Sequence, residues 1–148
     1  MPLKKKIIIF DFNRTIYEPE RRRLMPEVVP ILAKLSRRGY ELHLISTANP
    51  SRTKLIRSLG LKKYFRRIAI VRNKQGGFKK ITAGRKINLT QSFVVGDRVR
   101  EEISYGNSLG MKTIWLRSSK FASELPRKKG EKPLYIIHRF SELLAKIK

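Results

Sequence analysis

Six short, mainly apolar runs, each closed by a polar residue or a glycine, constrain this 148-residue chain more than any other feature. Ile7, Ile8, Ile9 and Phe10 end at Asp11; residues 42–45 run into Ser46, 68–71 into Arg72, 93–95 into Gly96, 113–116 into Arg117 and 134–137 into His138. Runs without polar alternation are what strands of a parallel sheet require, because helices cover both of its faces. Between the runs the apolar period lengthens to that of a helix. Val28, Ile31, Leu32 and Leu35 precede Gly39; Leu55, Ile56 and Leu59 precede Gly60; Val99 and Ile103 lead to Leu109 and Gly110. A last helix over 141–147 carries Leu143, Leu144 and Ile147 on one face. Strand and helix in alternation, joined by right-handed crossovers, predict an α/β fold, a Rossmann-like three-layer sandwich around a mostly parallel central sheet. The length and the 41% apolar content fit one core, hence one domain over 1–148.

Ligands of such sheets bind beyond the carboxyl ends of the strands, so chemistry is expected in the residues that follow each run. Those residues are Asp11-Phe12-Asn13-Arg14-Thr15, Ser46-Thr47-Ala48-Asn49, and Gly96-Asp97-Arg98 with Glu101 and Glu102 beyond. Asp11 and Asp97 are the only two aspartates in the chain, and both fall at this edge. Two carboxylates with oxygen donors nearby suit Mg²⁺, which takes one or two carboxylates alongside water and phosphate oxygens. Cysteine is absent, which excludes disulfides, thiolate metal sites and a cysteine nucleophile. His43 lies inside a strand run and His138 at a strand edge, so neither enters the chemistry. Trp115 follows the strand pattern and reads as core.

The ordered set of strand ends resembles the haloacid dehalogenase (HAD) superfamily of phosphohydrolases and phosphotransferases. Its first motif, an apolar strand ending in Asp-x-Asp-x-Thr, is similar to Asp11 to Thr15 with one departure, Asn13. Its second, a strand ending in Ser or Thr, is similar to the run ending at Ser46. Its fourth, Gly-Asp with a further acid, is similar to Gly96-Asp97 with Glu102. The third is a lysine upstream of the fourth strand, met by Lys79 or Lys80, with Lys74 in a turn over 73–77 also open. The resemblance implies a HAD-like domain without a cap, since the intervals from Thr15 to Ser46 and from Ser46 to Lys79 hold only the core's own elements.

It also implies roles. Asp11 would take the phosphoryl group as an aspartyl phosphate and ligate Mg²⁺ together with the backbone carbonyl of Asn13 and the carboxylate of Asp97. Ser46 and Thr47, with Lys79 or Lys80, would hold the phosphate oxygens. Glu102 would support the metal from behind its direct ligands, and Thr15 would bond locally and shape the loop. In phosphatases of this kind the second aspartate protonates the leaving oxygen and activates water. Asn13 does neither, so slow turnover of alkyl phosphates is expected, with acyl or aryl phosphates better tolerated and transfer to another acceptor favoured.

A formal charge of +24 favours polyanions, and nucleic acid is a partner the charge permits, although no nucleic-acid motif is present. A catalytically silent basic module that binds nucleic acid or ribonucleoprotein is the competing reading. An open site also fits a large phosphorylated substrate or an oligomeric neighbour acting as lid. Residues 1–10 place lysines before a short apolar run, below the length of a secretory segment or a membrane span, so a cytoplasmic protein without a membrane partner is expected. Residues 118–133, rich in Ser, Lys, Gly and Pro, read as a surface loop.

Overall fold

In the computed structural model, which describes residues 4–83 and 86–148, the six runs become six strands of one sheet. Residues 1–3 of the amino-terminal stretch lie outside the described residues. In chain order the elements are β1 (Ile7–Asp11), a small hairpin of β2 (Tyr17–Glu18) and β3 (Arg23–Leu24), α1 (Val28–Arg37), β4 (Glu41–Thr47) and α2 (Arg52–Ser58). Then follow β5 (Arg67–Val71), α3 (Lys74–Thr82), β6 (Phe93–Gly96), α4 (Ser104–Ser108), β7 (Lys112–Leu116), β8 (Tyr135–Ile137) and α5 (Leu143–Lys146). The sheet order is β5-β4-β1-β6-β7-β8, and every neighbouring pair is parallel. The chain leaves β1 outward through β4 to β5, then crosses back to β6. That reversal opens a crevice at the carboxyl ends of β1 and β6.

The strands' period of two assigns each face its job. Ile8 and Phe10 point into the larger core, against α1, α2 and α5; Ile7 and Ile9 point the other way, against Phe78 and Ile81 of α3. By the same alternation Asp11 faces the α3 side, and Ser46, two residues beyond Leu44, faces the α2 side. Phe10 is fully buried and meets the rings of Phe65 and Phe140 at 6.2 and 5.9 Å. Phe10→Ala should therefore lower unfolding free energy by about 3–5 kcal/mol, read by urea denaturation, since the cavity is walled by strands that cannot collapse into it.

Three local features differ from the sequence expectation. Residues 73–77 are not a turn: Asn73 caps α3, its side chain accepting from the Gly76 N–H at 3.0 Å, and the helix then runs through both glycines. Gly77 is tolerated there because the helix presses on the sheet; a Cβ would meet Ile45 Cδ1 at 2.8 Å and Val71 Cγ2 at 3.0 Å. The β2–β3 hairpin, too short to leave a periodic signal, follows β1. The 141–147 helix is shorter than expected, a 3₁₀ turn over Phe140–Glu142 leading into α5. No inserted domain separates the sheet's elements among the described residues. None of the described helices is long and apolar enough to cross a membrane.

Candidate active site

Three carboxylates converge where the strand order reverses. Asp11 ends β1, Asp97 follows β6, and Glu102 comes from a π-helical turn, Val99–Ile103, that leads into α4. One oxygen from each lies within 4.8 Å of the others, and all three side chains are buried. The wide turn, which carries an extra residue relative to an α-helix, aims Glu102 back at the sheet. Gly96 makes room for it: a Cβ there would meet Glu102 Cβ at 2.6 Å and Oε1 at 2.8 Å. Trp115 fixes the loop from below, its Nε1 donating to the Asp97 carbonyl at 2.9 Å. Trp115 is thus core, as expected, with its polar edge committed to the site.

Burial at this shared site raises the proton affinity of Asp97 and Glu102. Burial, then the neighbouring Asp11, pushes the Asp97 carboxyl up to about 7. Burial, again followed by Asp11, raises Glu102 well above the ordinary carboxylate range. Their counter-charge is Lys74 in the first turn of α3. Its Nζ donates to Asp11 Oδ1 at 2.7 Å and stands 3.7 Å from Glu101 and 3.8 Å from Glu102. Burial works against the ammonium, but Asp11 and then Glu102 outweigh it and hold Lys74 charged.

Lys79 and Lys80 sit farther along α3, exposed, and the described structure gives neither a contact with the acids. The amine at the cluster is that of Lys74, because the helix begins three residues after β5 and its first turn overhangs Asp11. Ser46 is buried near the end of β4, one residue past the partner of Asp11 in the β1–β4 register. Its Oγ accepts a hydrogen bond from Arg52 Nη1 at 3.0 Å, a contact without any sequence signal. Thr47 is exposed beside it. Asn13 is half-buried in the tight loop after β1, bridged to Tyr17. Thr15 is buried; its backbone N–H bonds locally to the Phe12 carbonyl at 3.4 Å, while its Oγ1 has no hydrogen-bond partner among the described residues. His43 is packed in β4 with Nε2 2.9 Å from Glu41, and His138 Nδ1 lies 3.1 Å from the Arg117 carbonyl, both away from the acids.

The 118–133 segment is more than a surface loop. Ser119 Oγ donates to Asp97 Oδ2 at 2.9 Å, and Glu124 pairs with Arg98 at 2.7 Å, which ties the segment to the site's rim. Between this segment and the β2–β3 hairpin lies an open cleft of about 620 Å³, with Leu116, Met25 and Phe140 among its apolar residues and Arg14, Arg21 and Lys120 among its charged ones.

The donor set fits a hard divalent cation. Glu102 is fully buried and neither of its carboxylate oxygens has a hydrogen-bond partner among the described residues, a cost that a cation shared with Asp11 and Asp97 would remove. Lys74→Met tests the balance of charge. In metal-free buffer it should lower stability by roughly 3 kcal/mol, because it strands buried carboxylates. Saturating Mg²⁺ should recover about 2.7 kcal/mol at a hundredfold excess over Kd, and thermal melts with and without the ion read both effects.

Comparison with known proteins shows the family and the fold. A family model described as HAD-hydrolase-like matches residues 67–143. The chain is 31% identical over 129 residues to a glyceraldehyde 3-phosphate phosphatase of Methanopyrus kandleri, covering 80% of this chain and 54% of that protein. It spans about half the length of the curated relatives it matches. Among solved structures, magnesium-bound YfnB from Bacillus subtilis superposes with a TM-score of 0.75 at 13% identity, covering 99% of this chain and 100% of that one. A HAD phosphatase from Thermococcus onnurineus gives 0.66 at 20% identity over 87% of this chain and 60% of that one.

Proposed function

The chain belongs to the HAD-hydrolase-like family, and on that premise we propose that it is a Mg²⁺-dependent phosphatase working through an aspartyl phosphate on Asp11. The observation that carries this reading is the meeting of Asp11, Asp97 and Glu102 oxygens within 4.8 Å, with Lys74 on Asp11 at 2.7 Å. Asp11, Asp97 and the Asn13 carbonyl would hold the ion, with Glu102 at or just behind them. Bound there, Mg²⁺ supplies positive charge against which a carboxylate and a phosphoryl group can approach.

The chain's own residues do the rest. Asp11 attacks phosphorus: an Oδ–P bond forms, the bond from phosphorus to the leaving oxygen breaks, and water later cleaves the Oδ–P bond to release inorganic phosphate. Lys74 offsets the charge of nucleophile and substrate, taking the part assigned to Lys79 or Lys80 in the sequence. Ser46 donates to a phosphoryl oxygen, and Thr47 stands at the rim of the same oxygens. Thr15 is the buried strut of the loop that carries Asn13. The cleft beside Ser119 gives the ester's organic part room without a cap.

Asn13 leaves the leaving oxygen without an acid and water without a base, so esters whose leaving group departs unprotonated, acyl and aryl phosphates, are the substrates this site turns over best. Release of nitrophenolate and phosphate from p-nitrophenyl phosphate, with Mg²⁺ and with a chelator in its place, is the test. Metal-dependent release is the expected result. Absence of release under both conditions, together with RNA binding that weakens steeply with salt, would replace the enzyme with a basic binding module.

A further inference from the structure

We infer that Arg52 is a direct phosphate ligand of this site, a second cation that binds the phosphoryl group from the side opposite Lys74. The inference rests on the phosphatase reading and names a residue that the strand-end motifs do not contain.

Arg52 opens α2, yet its side chain turns inward and is only 8% exposed. Among the described residues no carboxylate lies within ion-pair distance of the guanidinium, which makes a single hydrogen bond, to Ser46 Oγ. A guanidinium offers five N–H donors in a rigid plane, so most of its capacity is not spent on the protein's own side chains. Burying a cation without a paired acid is costly, and an anionic ligand is what such a site is built to receive.

Two contacts say where that ligand sits. The guanidinium carbon lies 5.0 Å from the centroid of the Phe12 ring, which sets the cation over the side chain of the residue following Asp11. The Nη1 bond ties the other side to Ser46, one residue past Asp11's partner in β4. Arg52 is therefore anchored on both neighbours of the nucleophile's carboxylate, and its remaining donors are left for what Asp11 attacks.

The bond to Ser46 also sets the direction of that hydroxyl. Because Oγ accepts from Arg52, its one proton is committed to no strong partner; the Thr47 carbonyl is 3.4 Å away. Ser46 is held as a donor, and serine and arginine form a two-residue clamp whose planar fork matches two oxygens of a phosphate. With Lys74 across the nucleophile, the clamp selects a dianionic terminal phosphate over a diester, which lacks the second charge and the third free oxygen.

The test is calorimetric titration of the full chain with inorganic phosphate, alongside KM and kcat on p-nitrophenyl phosphate, for wild type, Arg52→Met and Arg52→Lys. Arg52→Met should weaken phosphate binding about 10- to 100-fold and raise KM in step, and Arg52→Lys, which keeps the charge and loses the fork, should weaken it about three- to tenfold. A merely structural arginine would change the melting temperature while leaving phosphate affinity where it was. Unchanged affinity in whichever variant folds overturns the inference, even if wild type hydrolyses the ester. Failure of the phosphatase reading looks different: wild type releases nothing, yet binds phosphate in a manner that Arg52 controls.

Discussion

Asp11→Asn should cut phosphate release from an aryl phosphate by roughly 10⁴-fold or more, because an amide cannot accept the phosphoryl group and the chemistry has no second route. The substitution is nearly isosteric in a fully packed strand end, so the fold and the stack of Ile7 and Ile9 beneath it should persist. Loss of activity is then not loss of structure. A second readout separates a nucleophile from a generally important acid. In metal-free buffer the Asp11 carboxylate opposes an incoming phosphate, at about 4 kcal/mol for unit charges 4 Å apart under an effective dielectric of 20. Removing that charge should tighten inorganic phosphate binding even as turnover vanishes. The amine of Lys74 loses the negative charge of its 2.7 Å partner but keeps Glu101 and Glu102 within 4 Å, which holds it in place. Residual release within about tenfold of wild type would remove Asp11 from the mechanism, since a tenfold change is only 1.36 kcal/mol of barrier.

Asp11, Ser46 and Asp97 were legible in the sequence for one physical reason: each stands at or within two residues of the end of an apolar run, and a parallel sheet delivers run ends to one edge. The scarcity of aspartate sharpened that signal, because in a chain of charge +24 an acid at a strand end stands out. The same reasoning blurs for cations. Lys74 also lies just past a strand, but Lys79 and Lys80 share its neighbourhood, and only the Asn73 cap, which starts α3 early, decides which amine overhangs Asp11. A glycine pair in the middle of that segment reads as a turn; its packing against Ile45 and Val71, a tertiary fact, makes it helix. Arg52 and Ser119 had no local signature at all. Arg52 reaches the site through side-chain length and the Phe12 face, and Ser119 through a loop whose composition says only that it is exposed. The fold came from periodicity, the anions from strand ends, and the residues that partner those anions from packing that no single segment encodes.

Restoring an aspartate at position 13 should have the opposite effect, and one that depends on the leaving group. Asn13→Asp should speed hydrolysis of an alkyl phosphate by about 10²- to 10⁴-fold, the usual worth of a well-placed general acid and base. It should do much less for the first step with an acyl or aryl phosphate, whose leaving group departs without a proton. The position accommodates the change, because Asn13 is half-buried beside Tyr17 and a carboxylate there keeps part of its hydration. The second step gives the sharper contrast. Water needs a base to attack the aspartyl phosphate, so wild type fed an acyl phosphate should accumulate phosphoenzyme, visible by acid quench and mass spectrometry as a phosphorylated peptide containing Asp11. In Asn13→Asp that species should decay faster and its steady-state fraction fall. If alkyl and aryl phosphates gain equally, the amide obstructs binding and is not a missing proton donor. If neither gains, the proton is supplied elsewhere, and Asn13 has no part in limiting the rate.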